Sequence, residues 1–377
     1  MRVVVQKYGG SSVATVEKLK LVAQRVAATH ADGVGVVVVV SAMGNTTNEL
    51  LQLARTVSAR PGRREVDMLI SVGERIAMAL LSMAINDLGV SAVSFTGSQS
   101  GIITDESHSA AQVVAVRPHR IRAALDQGQV AIVAGFQGVS RDREVTTLGR
   151  GGSDTTAVAL AGALDAEYCE MCSDVDGVYT ADPRKVPDAV RIGDLSMDEM
   201  LSLCRGGARV LAAEAIDYCH RHGIELVLSK TTGRSGGTRI QVPPLPPRVA
   251  GLTLDDDVER FETDDPTELL SALASTPAGV RHVDSTQVLI DVKNWPDRAA
   301  FQLPDGVRSL GRVSVIHAAC PELGVPAALL ARAHEALEGL PILTHAAQGG
   351  ALWWAVPAGQ GERALRRLHA VLLGERL

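Results

Sequence analysis

Short β-branched runs alternate with amphipathic stretches through the first two thirds of the chain. Val3–Gln6, Val36–Ser41, Ser91–Phe95, Gln129–Phe136 and Glu167–Ser173 predict strands, and Val16–Thr29, Thr47–Val57, Glu65–Leu88, Arg117–Gln127 and Asp154–Leu164 predict helices. The strand runs are largely continuous in apolar character, as in a mostly parallel sheet covered by helices on each side. The expected class is therefore α/β, an open αβα sandwich, with ligands beyond the carboxyl ends of its strands.

Four of the sixteen prolines fall between Pro243 and Pro247, just after a strand expected to end at Val242, which predicts a boundary close to residue 245. Residues 246–377 read as a smaller α+β region. Strands Val258–Thr263, Gly279–Asp284 and Gln287–Lys293, with helices Thr267–Ser275 and Trp295–Gln302, form one βαββα series. Strands Arg312–Ala318, Pro341–Ala346 and Ala351–Val356, with helices Val325–Leu337 and Glu362–Leu373, form a second, within 310–377. Trp353 and Trp354 are neighbours in a strand and so point to opposite faces. One is expected in the core and the other at an interface between modules or subunits.

Composition narrows the choice of partners. At 377 residues and 46% hydrophobic, the chain can bury a sizeable core. Its 37 Lys and Arg against 43 Asp and Glu leave a formal charge of −6, with no basic excess to suggest nucleic acid or a membrane surface as partner. An anionic ligand must be held by a few placed cations. No apolar run approaches the roughly 20 residues of a membrane span. Lys7, Gly9 and Gly10 come too early for a signal peptide, so the cytoplasm is the expected compartment. The five cysteines include a C-x-x-C, Cys169 and Cys172, but no second pair, and they read as buried thiols. His220 and His222 read as cations at a helix C-terminus, and no metal site is expected in the protein itself.

Three segments carry candidate chemistry. Lys7-Tyr8-Gly9-Gly10-Ser11-Ser12 lies between the first strand and the first helix. Two glycines there admit an anion to the backbone, the helix N-terminus offers N–H groups, and the lysine supplies a point charge. The segment is neither a Walker A loop nor a dinucleotide fingerprint, and a Gly-Gly pair also occurs in ordinary tight turns. Thr146–Thr156 sets three glycines around Arg150, freeing its guanidinium to fork onto a carboxylate or phosphate. Asp154 in that segment is either functional or only a helix N-cap. Ser173–Arg184 follows a strand and carries three aspartates, Tyr179 and Arg184, a polar loop of the kind that binds ligands.

These segments, with Ser41-Ala42-Met43-Gly44-Asn45-Thr46-Thr47-Asn48, Gly73-Glu74-Arg75 and Ser94-Phe95-Thr96-Gly97, resemble the aspartate kinases, motif by motif and in the same order. The resemblance implies an amino acid kinase domain over 1–245 and a tandem ACT-like region over 246–377. It also implies transfer of the ATP γ-phosphoryl group to the β-carboxylate of L-aspartate, the step that opens lysine, threonine and methionine biosynthesis and the diaminopimelate pathway. It makes Lys7 the cation at the transferring group, with Tyr8, Gly9 and Gly10 around the phosphates and Asp154 the carboxylate that orients Lys7. Ser41, Thr47, Glu74, Arg150, Gly151, Gly152 and Ser153 map to the aspartate site. There Arg150 can clamp the α-carboxylate, Glu74 can attract the α-ammonium and Thr47 can offer a hydroxyl. Ser173, Asp174, Tyr179, Asp182, Arg184, Arg209 and Val210 map to the nucleotide site. Mg²⁺ bridging the phosphates is implied, as is a homodimer or higher homo-oligomer through the ACT-like region. A kinase of another acidic amino acid, or an inactive ligand-sensing relative, is the alternative. The second would be expected to lose Lys7, Glu74 or Arg150, and all three are present.

Two departures from the family pattern matter. Gly207-Ala208-Arg209-Val210-Leu211-Ala212 stands where the family reads Gly-Ala-Lys-Val-Leu-His, and arginine keeps the charge but not the shape of lysine. In the C-terminal region the second series resembles an ACT module, with Gly324-Val325-Pro326-Ala327 before its helix. The first keeps only the element order, with Asp264-Asp265-Pro266-Thr267 for the Asp-x-Pro-Gly turn and no effector-binding Asn-Ile-x-x-Ile segment near Gly279–Asp284. Weak or absent lysine and threonine feedback is the implied consequence.

Overall fold

Val3–Tyr8 (β1) pairs in parallel with Gly35–Val40 (β2), whose five valines are all inaccessible to solvent. In a computed structural model of the chain, every residue is described except Arg150, Arg209, 233–235, Ser275, Pro277, Asn294, 296–297, 322–325 and 375–377. Two compact units form. The first comprises Met1–Val178, Arg191–Leu201 and Arg209–Pro244, and the second Tyr179–Val190, Ser202–Ala208 and Leu245–Leu377.

The helices of the first unit are α1 (Val16–Ala31), α2 (Thr46–Val57), α3 (Arg63–Ile70), α4 (Val72–Asn86), α5 (His119–Asp126), α6 (Gly152–Ala163), α7 (Met197–Arg205, whose last residues belong with the second unit) and α8 (Ala213–His222). Its further strands are β3 (Ala92–Phe95), β4 (Ile102–Thr104), β5 (Val113–Val116), β6 (Val130–Ala134), β7 (Gln137–Val139), β8 (Val145–Thr147), β9 (Tyr168–Ser173), β10 (Asp194–Ser196), β11 (Leu226–Lys230) and β12 (Thr238–Gln241).

The main sheet runs β10-β12-β11-β9-β1-β2-β6-β3 and is parallel except where β12 turns back against β11. On one face Val4, Val36, Val38, Val40, Val130 and Ile132 pack with Leu19, Val22 and Val26 of α1 and Ala77, Leu81 and Ile85 of α4. On the sheet, α6 lies against β1, β2 and β9, and α5 against β2 and β6. This is the expected α/β sandwich. The register aligns the carboxyl ends: Tyr8 sits beside Val40 and Cys172, and Val40 beside Ala134. The loops that follow these strands therefore emerge at one edge.

Four short strands form a second sheet, β5-β4-β7-β8, which the alternation pattern misses because each spans only three or four residues. The expected helix Glu65–Leu88 is two helices broken at Ser71, whose carbonyl accepts from Gln137 Nε2 at 2.8 Å. The stretch 63–86 is long and apolar enough to cross a membrane by length and composition alone. Ala77, Met78, Leu81 and Ile85 are nonetheless buried in the core, while Met68, Val72, Ile76, Leu80 and Met83 are exposed. Cys169 and Cys172 are buried on β9 as free thiols, and no group of three metal-ligating side chains exists among the described residues.

The second unit contains β13 (Gly251–Glu262), α9 (Pro266–Leu273), β14 (Gly279–Val283), β15 (Gln287–Asp291), β16 (Arg308–Ala319), α10 (Ala327–Ala336), β17 (Thr344–Gln348), β18 (Ala351–Pro357) and α11 (Gly361–Leu373). Its sheet runs β14-β15-β13-β16-β18-β17 with every pairing antiparallel, so two like halves meet where β13 pairs with β16. The halves differ at one element. Where the second half closes with α11, the described residues of the first show a 3₁₀ turn at Arg298–Ala300 in place of the helix expected over Trp295–Gln302. Arg298 is instead drawn onto Glu259, at 2.5 and 2.7 Å, and over the rings of Phe261 and Trp295. Both Trp353 and Trp354 are buried, on opposite faces: Trp354 with Ile316, Leu352 and Leu365, and Trp353 with Val258, Leu289 and Val315. Trp354 therefore lies in the core of the second half, while Trp353 packs on β13 and β15 of the first half and edge-on to His282 of β14, at the contact between the two halves.

His317 on β16 lies against Gly206, and its Nε2 shares a hydrogen bond with Ser202 Oγ at 3.1 Å. Burial, and secondarily Arg281, push its imidazole down to about 4. The unfolded chain then binds more protons than the folded one between about pH 6.5 and 4, so stability is lost as pH falls through that window. All three tryptophans (Trp295, Trp353 and Trp354) lie in this unit, so their fluorescence reports on it selectively. Melts followed by tryptophan emission should lose on the order of 3 kcal/mol across that window relative to His317→Gln. Parallel pH profiles for the two proteins would contradict this assignment.

Candidate active site

Because the strand ends align, Lys7 near the end of β1, Ser41 and Ala42 after β2, Phe136 after β6 and the start of α6 converge. They line a cavity of about 350 Å³ together with Gly10, Gly44, Thr47, Glu74, Gly149, Gly151, Gly152, Ser153 and Asp154. At its base Lys7 Nζ stands 2.7 Å from Asp154 Oδ1, with the two side chains only 16% and 14% exposed. The approach is an ion pair without an aligned hydrogen bond, which leaves Oδ1 able to accept one. Asp154 is not the N-cap of α6. That position belongs to Gly151, held at φ 71° in the left-handed region that glycine enters without a Cβ clash. Asp154 sits one turn into the helix and turns to Lys7.

Glu74 forms the opposite wall. It lies in the first turn of α4, 3% exposed, and its Oε1 accepts from the Ala42 N–H at 3.0 Å. Gly73 makes this approach possible, since a Cβ there would stand 2.7 Å from that of Ala42. The second oxygen, Oε2, is buried without a hydrogen-bond partner. Burial outweighs the backbone donors and pushes the carboxyl up to about 7. A buried acceptor left open beside a cavity is suited to a cationic ligand group.

A second cavity, of about 370 Å³, is lined by Gly151, Asp154, Val210, Leu211, Ala212, Ala213 and Glu214. Gly151 and Asp154 belong to both cavities, so the start of α6 divides two adjoining spaces.

Of the residues singled out in sequence, Lys7, Gly10, Ser41, Thr47, Glu74, Gly151, Gly152, Ser153 and Asp154 line the first cavity, and Val210 lines the second. Gly9 adjoins Lys7, and a Cβ on it would lie 3.4 Å from Nζ. The Tyr8 ring is fully buried among Val4, Val38 and Val40 and its hydroxyl donates to Gln6 Oε1, so what this residue offers at the strand ends is its backbone. Ser173 and Asp174 line neither cavity, and Ser173 Oγ bonds within its own loop to Val175. Tyr179, Asp182 and Arg184 lie in the second unit, where Arg184 bonds Asp182 and holds its carboxyl below the usual range. Arg150 and Arg209 lie outside the described residues. Sequence reasoning missed Phe136, which it placed inside a strand. Its backbone adopts φ 67°, rare for a non-glycine residue, with its N–H bonded to Thr156 Oγ1 and its carbonyl to Leu148.

An open, mostly parallel sheet thus carries a lysine and two glycine-rich segments at its carboxyl edge, where sheets of this class bind their ligands. The model of the amino acid kinase family matches residues 2–229, and the chain belongs to that family. It is similar to the aspartokinase of Mycolicibacterium smegmatis, at 53% identity over 64% of this chain and 58% of that protein. It is also similar to the aspartokinase of Corynebacterium glutamicum, at 54% over 64% of this chain and 57% of that protein. The chain thus spans less than three fifths of the length of these relatives. The fold matches that of E. coli aspartokinase III solved in complex with aspartate and ADP, with a TM-score of 0.82 at 22% identity, over 98% of this chain and 100% of that one.

The titration of Glu74 is directly measurable. In the ligand-free protein its side-chain carboxyl carbon, followed by NMR and assigned with Glu74→Gln, should titrate near pH 7. A midpoint near 4.5 would show that the carboxyl is hydrated and not poised as described.

Proposed function

We propose that the protein is an aspartate kinase, which moves the γ-phosphoryl group of ATP onto the β-carboxylate of L-aspartate to give 4-phospho-L-aspartate and ADP. The observation that carries this reading is the pair of cavities sharing Gly151 and Asp154, one walled by Glu74 and the other by Val210–Glu214. The similarity to aspartokinases at 53% and 54% identity supports it.

In this reading the amino acid occupies the Glu74 side. Its α-ammonium meets the open Oε2, Thr47 and Ser41 offer hydroxyls, and Arg150 takes the α-carboxylate. The nucleotide occupies the other side, along Val210. One β-carboxylate oxygen attacks the γ-phosphorus as the bond to the β,γ-bridging oxygen breaks, and ADP carries away the electron pair. The nucleophile is already ionised, so no general base is needed, and the protein supplies positioning and charge neutralisation. Lys7 neutralises the transferring group, the N-terminus of α6 faces the same space, and Asp154 keeps Lys7 aimed. One mostly shielded carboxylate beside the phosphate space fits Mg²⁺ brought in on the phosphates, where it would neutralise charge on their oxygens. A homo-oligomer joined through the second unit and a cytoplasmic location complete the proposal.

Glu74 gives the reading a sign in pH. An ammonium ligand requires the ionised carboxylate, so aspartate binding releases protons wherever free Glu74 is protonated. Release should approach one proton at pH 6, about half at pH 7 and almost none at pH 8.5, measured by calorimetry in buffers of different ionisation enthalpy. Binding without proton release at pH 6 would contradict the role given to Glu74.

Hydroxamate trapping with L-aspartate, ATP and Mg²⁺ tests the reaction itself. Aspartyl hydroxamate should form, and product only with a different acidic amino acid would overturn the substrate. The same assay addresses regulation. Lysine and threonine, singly and together at low millimolar concentration, should inhibit little, because the first half of the second unit lacks the family's effector segment; strong concerted inhibition would refute this.

A further inference from the structure

Asp67 is among the most enclosed charged groups in the first unit, with no solvent exposure, and nothing in the reaction scheme uses it. It projects from α3, and its donors come from two distant segments. Its carboxylate accepts from His108 Nδ1 at 2.8 Å, the Ser109 N–H at 3.1 Å and Ser109 Oγ at 3.3 Å. It also accepts from Thr147 Oγ1 at 2.7 Å and the Thr147 N–H at 3.1 Å. A buried carboxylate with this many donors fixes the position of everything that donates to it.

What it fixes is the glycine loop of the site. Thr147 is the last residue of β8, and Gly149, two residues on, lines the first cavity. The segment around Ser109 is pressed against that loop: the Ala111 N–H donates to the Thr147 carbonyl at 2.9 Å, and a Cβ on Gly149 would lie 3.3 Å from the Ser109 carbonyl oxygen. Ser109 holds φ 71°, a left-handed backbone that a non-glycine residue keeps only when its surroundings impose it. At the other end, α3 runs through Ser71 into α4, whose first turn carries Glu74. Asp67 therefore ties the helix pair bearing one wall of the cavity to the loop bearing the other.

We infer that Asp67 is a positioning residue that sets the spacing between Glu74 and Gly149 on the facing wall of the cavity, acting through Ser109 and Thr147, and so sets affinity for the amino-acid substrate. This rests on the proposed aspartate site. A displacement of about 1 Å at a site of this kind can cost on the order of a hundredfold, so the effect should be large although Asp67 touches no substrate.

The test is L-aspartate binding by calorimetry, together with KM for aspartate and for ATP, on the full chain and on Asp67→Asn, Thr147→Val and Thr147→Ser. Wild type should bind aspartate. Asp67→Asn presents an amide to donors that need an acceptor and should weaken aspartate binding and raise its KM at least tenfold, with KM for ATP within threefold. Thr147→Val should move the same parameter in the same direction, and Thr147→Ser, which keeps the hydroxyl, should restore it. If Asp67→Asn does not fold, the two Thr147 variants decide the matter by the same split. A merely structural role predicts lower melting temperature and less active protein with both KM values unchanged, and that result would overturn the inference. Absence of aspartate binding by wild type would instead remove the proposed site, and the inference with it.

Discussion

The contact between Lys7 and Asp154 is the constraint on which the rest of the site depends. It joins the end of a central strand to the first turn of the helix packed on that strand, and with them the two glycine-rich segments. Both partners are largely shielded from water, so their attraction is stronger than at a surface, and removing either leaves a poorly solvated charge. β1 can hold Lys7 there because β2 and β9 flank it in register, and α6 can present Asp154 because Gly151 takes the left-handed turn before it. Glu74, with one oxygen bonded to Ala42 and the other without a hydrogen-bond partner, completes the cavity opposite that pair.

The sheet and the site were legible to different degrees, for physical reasons. Apolar runs such as Val36–Val40 can only be interior strands, and the Lys7 and Gly149–Asp154 segments carry glycine and charge where an anion needs them, so their convergence followed from topology. Three-residue strands such as Ile102–Thr104 carry too little periodicity to be seen. The break at Ser71 depends on a hydrogen bond from Gln137, more than sixty residues away. Tyr8 belongs to a motif that faces the site, but its side chain alternates inward, and a motif alone does not separate backbone from side-chain roles. Phe136 adopts a conformation that nothing in its local sequence requires. Asp67 reads as an ordinary polar position on an amphipathic helix, because its donors lie 41 to 80 residues downstream.

The second unit shows how a repeat can lose a part without losing its sheet. The two halves keep equivalent strand orders about the β13 and β16 pair, yet among the described residues only the second has a closing helix. In the first half the hydrophobic face is covered instead by Trp295, Phe301 and their neighbours, pinned by Arg298 on Glu259. Packing of that kind covers the sheet face without a helix.

The most direct test of this account removes the cation at its centre. Single-turnover transfer of the γ-phosphoryl group should be compared in wild type and Lys7→Met, with aspartate affinity measured on the same proteins. Loss of the charge at the transferring group should slow transfer at least about a hundredfold, and loss of its pair with Asp154 in the same cavity should also weaken aspartate binding. Transfer by Lys7→Met at the wild-type rate would contradict the account, whatever else the site binds.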